Sequence, residues 1–111
     1  MFILEKKCLV MAEFSIVPVG TGETSVSCYV AVAVRAFRNV DGLTFDVTPM
    51  GTILAASELS IILEAVRRAH QAVAEMGAKR ISSTLRIDDR RDKPRNMHDK
   101  IDAVKKRLEE A

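Results

Sequence analysis

The residues able to do chemistry in this chain are few and scattered. His70 and His98 have no cysteine or aspartate at metal-ligand spacing, and there is no HExxH run or GxSxG elbow. No nucleophile is paired with a base, so covalent and acid–base catalysis lack a candidate. Cys8 and Cys28 exclude a disulfide scaffold and a CxxC metal site, and they read as reduced, partly buried thiols. Gly20-Thr21-Gly22 lies between a strand pattern and a helix pattern. Free N–H groups at the helix start, with the hydroxyls of Thr21, Thr24, Ser25 and Ser27, could hold a phosphate there. The run lacks the third glycine of a dinucleotide fingerprint and the lysine of a phosphate-binding loop, and an ordinary capped helix start fits it as well.

The most unusual segment is Ile87-Asp88-Asp89-Arg90-Arg91-Asp92-Lys93. Adjacent carboxylates could bind Mg²⁺, which takes oxygen ligands. They could equally attract an organic cation, pair with arginines of a neighbouring subunit, or close a surface ion-pair loop. The aspartates interleave with Arg90, Arg91, Lys93 and Arg95, which cancels most of the attraction for phosphate.

These groups are held by a regular succession of elements. Ala12–Val19 alternates as a half-buried strand, with Ala12, Phe14 and Ile16 on one face, and Pro18 ends its ladder. Thr24, Ser25 or Ser27 caps a helix whose stripe is Val26, Tyr29, Val30, Ala33, Val34 and Phe37. Asp41-Gly42 turns the chain into the strand Leu43–Thr48. Thr48-Pro49-Met50-Gly51 then makes a tight turn into a second strand, Thr52–Ala56. Ser57 caps a second helix with Leu59, Ile62, Leu63, Val66, Ala69, Val73 and Met76 on its apolar side, closed by Gly77. Arg80–Asp88 alternates again. A charged loop follows to Pro94, and Asn96 caps a last helix striped by Met97, Ile101, Val104 and Leu108.

The order β-α-β-β-α-β-α predicts an α+β, ferredoxin-like βαββαβ fold: a four-stranded antiparallel sheet with two helices on one face, plus an added C-terminal helix. The other face collects Glu13, Ser15, Thr44, Asp46, Thr48, Ser82, Thr84, Arg86 and Asp88, too polar for a second core. RNA-binding domains of this topology stack bases on aromatics of that face. Here Phe14 and Phe45 point to the helices, so no nucleic-acid partner is expected.

At 111 residues and a net charge of +2, the chain suits one domain, with 48% apolar and 29% charged residues. We assign 12–111 to that domain and 1–11 to an N-terminal extension of uncertain order, Met11 being a plausible start. The longest apolar run, Cys28–Val34, is far too short to span a membrane. The first ten residues carry Glu5, Lys6 and Lys7 where a signal peptide would be apolar. A cytoplasmic protein follows. Residues 88–111 hold 15 of the 32 charges, consistent with a solvated helix face. The open sheet face, two strand edges and the last helix's apolar stripe point to a symmetric homo-oligomer, dimer or tetramer.

Three segments together resemble a known family. They are Glu13–Gly22 leading into Thr24–Ala31, Pro49-Met50-Gly51-Thr52, and Ile87–Lys93. In order and spacing they are similar to the thiamine-binding protein family of small YkoF-like proteins, from about Ala12 to the C-terminus. The resemblance implies a ferredoxin-like fold, dimers assembling into a tetramer, binding of thiamine or its pyrimidine portion, no cofactor and no catalysis. The family often carries an acidic residue just after the Met-Gly-Thr strand, where this chain has Ala55-Ala56.

A thiamine site needs a carboxylate for the cation, hydrogen-bonding groups for the ring nitrogens and amine, and apolar surface under the ring. Asp46, Asp88 or Glu58 could supply charge; Ser15, Ser27, Thr48, Thr52 and Thr84 could supply hydrogen bonds; Phe14, Tyr29 and Met50 could supply contact. The expected site lies near the first helix's start and the 48–52 turn, with Ser15, Ser27, Tyr29, Thr48, Met50, Thr52, Thr84 and Asp88 as ligand-binding candidates, completed in one version by a second subunit. Two other readings stay open: an amino-acid-sensing regulatory module, by analogy of fold, and a purely structural oligomeric interaction protein.

Overall fold

A computed structural model describes residues 10–92 and 97–110. In chain order the elements are β1 (Val10–Pro18), α1 (Ser27–Phe37), β2 (Thr44–Thr48), β3 (Gly51–Ala56), α2 (Leu59–Glu75), β4 (Ile81–Asp89) and α3 (Met97–Glu110). The sheet order is β2-β3-β1-β4 and every pairing is antiparallel. This is the ferredoxin-like arrangement the alternation predicts.

β1 starts at Val10, earlier than the alternation suggests, because both neighbours reach that far. Val10 lies opposite Ala56 and Asp89, and Met11 opposite Ala55 and Asp88. Two residues assigned to the extension therefore belong to the central strand. The expected Pro94 break and Asn96 cap lie outside the described residues.

Period-two alternation sends Val10, Ala12, Phe14 and Ile16 of β1 to the helix side, where all are buried with Leu54 and Ala56 of β3. Phe37 of α1 meets Phe45 of β2 edge to face, with ring centroids 5.5 Å apart and planes at 84°, a favoured aromatic geometry. With Phe14 and Phe45 both on this side, no aromatic platform forms on the open face among the described residues.

α2 buries Ile62, Ala65, Ala69 and Val73. With the buried row of α2 running through these four residues, Leu63 and Met76, both expected inside, are 47% and 42% exposed. The expected caps differ as well. α1 is preceded by Val26 and α2 by Glu58, neither making a side-chain cap bond. Backbone bonds from Tyr29 and Val30 to the Val26 carbonyl close the first turn of α1 instead. Gly77 does close α2: at φ +102° it adopts a conformation open to glycine, and its N–H bonds the Ala74 carbonyl at 2.9 Å.

α3 stands apart. All its residues from 101 to 110 are exposed, among them Ile101, Val104 and Leu108 of its apolar stripe. The radius of gyration is 15.6 Å, against about 13 Å for a compact chain of this length.

Candidate ligand-binding site

The site is produced by a mismatch of strand lengths. The β1–β3 ladder ends at Phe14 opposite Thr52, because β3 turns back there through the Pro49-Met50 hairpin. β1 continues to Pro18, paired along Ser15–Pro18 with β4 alone. On the side that β3 would have filled, α1 closes over the gap and leaves a cavity of about 270 Å³. Phe14–Val17 of β1 form one wall, the α1 face with Val26, Val30, Val34 and Phe37 a second, and Val47–Thr52 of the hairpin the third.

Apolar side chains dominate this lining, and none of its residues is ionisable. Its polar groups differ in availability. The Thr48 hydroxyl is engaged within the turn, donating to the Gly51 carbonyl at 2.7 Å and accepting from the Met50 N–H at 3.3 Å. Ser27 is exposed at the start of α1, its hydroxyl 3.4 Å from that of Ser25. Thr52 is only 6% exposed, the one buried polar side chain among the described residues. No described group bonds its hydroxyl. Among the described residues no polar side-chain atom fully shut off from solvent lacks a partner, so this oxygen keeps some access to solvent, and Thr52 is one of the residues that line the cavity. Gly51 sits where the hairpin approaches β1 most closely: a β-carbon on it would stand 3.0 Å from the Phe14 carbonyl oxygen.

A sequence model of the family described as thiamine-binding protein matches residues 12–105. The chain belongs to that family. Among relatives of this thiamine-binding family member, the UPF0045 protein of Methanothermobacter thermautotrophicus is 42% identical over 100 residues, 90% of this chain and 100% of the relative. The crystal structure of a hypothetical protein from Methanocaldococcus jannaschii superimposes with a TM-score of 0.78 at 40% identity, covering 86% of this chain and 95% of that one. A Thermotoga maritima protein, named as a candidate in thiamine biosynthesis/salvage, shares the fold with a TM-score of 0.67 at 20% identity, covering 86% and 97%.

Of the candidate residues, the cavity of this family member gathers Ser15, Ser27, Thr48, Met50 and Thr52. Tyr29 packs half-buried against the core from α1 and is not part of the lining. Thr84 and Asp88 lie on the open sheet face, opposite Ser15 and Met11. Asp46 shares that face, opposite Ile53, and Glu58 precedes α2 near the Ser60 hydroxyl. The aliphatic walls Val26, Val30, Val34 and Val47 had been legible only as core, since a cavity wall and a core stripe share one periodicity.

Asp88 and Asp89 are adjacent on a strand and therefore project to opposite faces. Asp88 pairs with Lys100 of α3, and the Lys100 ammonium holds its carboxyl below the usual range. Asp89 pairs with Arg91, and Arg90 with Asp92. The two carboxylates thus do not form one ion site, and among the described residues no cluster of metal-ligating side chains occurs. Two further polar contacts lie outside the candidate residues. His70 Nε2 lies 2.7 Å from the Ser83 hydroxyl. Glu64 takes hydrogen bonds from Arg67 and then Arg68, which bring its pKa from 4.5 to about 2. No described helix is long and apolar enough to cross a membrane.

Proposed function

We propose that the protein is a non-catalytic, cytoplasmic binding protein that takes thiamine or its pyrimidine portion in the cavity between α1, β1 and the β2–β3 hairpin. The observation that carries this reading is the buried Thr52 side chain, its hydroxyl without a partner among the described residues, in a largely apolar cavity of a chain from the thiamine-binding family. Small-ligand sites are built in this way, from an apolar wall with a few placed polar groups. Ser15, Ser27, Thr48 and Met50 complete the proposed site. The β1 edge adds to it: main-chain groups of Ser15–Val17 that face away from β4 have no strand partner and front the cavity.

The protein works as a homo-oligomer, a dimer or a dimer of dimers. The bare stripe of Ile101, Val104 and Leu108 supports this, as does the uncovered sheet face. Sedimentation of the full chain as a monomer would remove this part of the proposal.

A thermal melt with and without excess thiamine tests the binding. At about a hundred times its dissociation constant a ligand adds roughly 2.7 kcal/mol per site. Each kcal/mol is worth about 4–8 °C for a domain of this size. A rise of several degrees with thiamine or its pyrimidine precursor, absent with amino acids, is the expected result. A rise with amino acids alone would replace this reading with the regulatory module.

A further inference from the structure

Resting on the homo-oligomer proposed above, the charges around two bare surfaces say how one copy meets another. In α3, Ile101, Val104 and Leu108 are 49%, 59% and 70% exposed. Spaced by three and then four residues, they form one narrow stripe, the seam of a helix that packs against something. Lys100 and Arg107 border the stripe on one side and Lys105 on the other. The acidic residues of α3 lie farther round the helix, and over Met97–Glu110 four Lys and Arg balance four Asp and Glu. A helix without net charge has little to draw it to an anionic bilayer. A second α3 is no match either. In both directions two copies would set the bordering cations against one another.

The open sheet face carries the inverse pattern. Ile53 of β3 lies opposite Glu13 of β1 and opposite Asp46 of β2. Directly opposed residues share a face, so a half-buried apolar side chain sits there between two exposed carboxylates. A groove of about 260 Å³ runs over this face past Met11, Glu13, Ile53 and Arg86. Among the described residues, Glu13, Asp46, Lys105 and Arg107 make no ion pair. The dimensions agree as well. With 14 residues, α3 is about 21 Å long. Four strands about 4.8 Å apart span roughly 14 Å, so one helix crosses the whole sheet.

We propose that α3 of one copy lies across the open sheet face of a second copy. Its stripe rests on Met11 and Ile53, and Lys105 and Arg107 meet Glu13 and Asp46. A two-fold axis makes the exchange mutual, each sheet receiving the other's helix. Lys100, paired with Asp88 of its own chain, anchors the first turns of α3 beside β4.

Sedimentation of the full chain tests this. Glu13→Lys with Asp46→Lys should raise the dissociation constant of one assembly step about tenfold or more, because like charges then face each other. Lys105→Glu with Arg107→Glu should do the same, and all four substitutions in one chain should restore association. Ile101→Ser with Val104→Ser, which changes no charge, should also dissociate the copies. These side chains are exposed or half-buried, so circular dichroism of each variant should match the parent. Association of the parent should weaken as salt rises. Assembly that neither charge reversal weakens would overturn this docking and leave the homo-oligomer in place. Loss with the α3 reversal alone would place α3 on another surface and overturn it as well. Failure of the fourfold variant to reassociate would overturn the pairing of these charges. A parent chain that sediments as a monomer would overturn both the docking and the oligomer.

Discussion

Two regions of this molecule divide shape from charge. The cavity under α1 has walls, depth and a buried hydroxyl, and no ionisable residue. The β4–α3 side has alternating charges, paired as Asp88–Lys100, Asp89–Arg91 and Arg90–Asp92, spread over exposed surface. The charges are the conspicuous feature of the sequence, yet they satisfy one another. The feature able to hold a ligand comes from valines and phenylalanines that look like ordinary core. In a small sheet protein, a site is made where a strand outruns its partner, and the residues around that gap need not look chemical.

Substitutions can break or sharpen this contrast. The largest effect is expected from Phe37→Ala, because Phe37 is 1% exposed and belongs to both the core and the cavity wall. Large-to-small changes of this kind cost about 3–5 kcal/mol. The denaturant midpoint should drop accordingly and ligand binding should weaken with it; unchanged binding would separate the wall from the core. Next comes Gly51→Ala. Its new β-carbon would press on the Phe14 carbonyl, an overpacking cost of about 1–3 kcal/mol, and the shifted hairpin should lower ligand affinity in titration.

On the charged side the effects should be small. Asp88→Asn removes an ion pair between side chains that are 53% and 42% exposed, and such pairs contribute little. Its melting temperature and ligand affinity are expected to match those of the parent; a large loss of affinity would return Asp88 to the binding site. The smallest effect concerns pH. The carboxyls of Glu64 and Asp88 are both lowered on folding, Glu64 to about 2, by hydrogen bonds from Arg67 and Arg68 and from Lys100 respectively. A lowered carboxylate stabilises the folded state above its unfolded pKa, near 4.5 for Glu64, and that contribution fades as pH falls toward 2. Acid melts should show a slight, salt-sensitive loss over this window, while affinity for the pyrimidine ligand stays level until the ligand itself takes up a proton.

The sequence carries the fold well because β1, β2 and β4 alternate cleanly and α1 and α2 bury apolar stripes. It falters where tertiary contacts decide. Val10 and Met11 join β1 because β3 and β4 reach them, and Leu63 stays outside because the buried row of α2 runs through Ile62, Ala65, Ala69 and Val73. Of the ligand candidates, Ser15, Ser27, Thr48, Met50 and Thr52 line one cavity near the hairpin. Thr84 and Asp88 could not join them, since strand alternation commits both to the opposite face. A pattern of residue types shows which face a strand residue takes. It does not show where a neighbouring strand stops, and here that stop makes the cavity.

The double membership of Phe14, Ala33 and Phe37, in the core cluster and in the cavity lining, has a calorimetric consequence. A ligand seated against these side chains extends the hydrophobic core and removes further apolar surface from water. The mark of such burial is a negative heat-capacity change on binding. Binding enthalpy should therefore grow more favourable as temperature rises, and the slope of that line measures how much of the core the ligand completes.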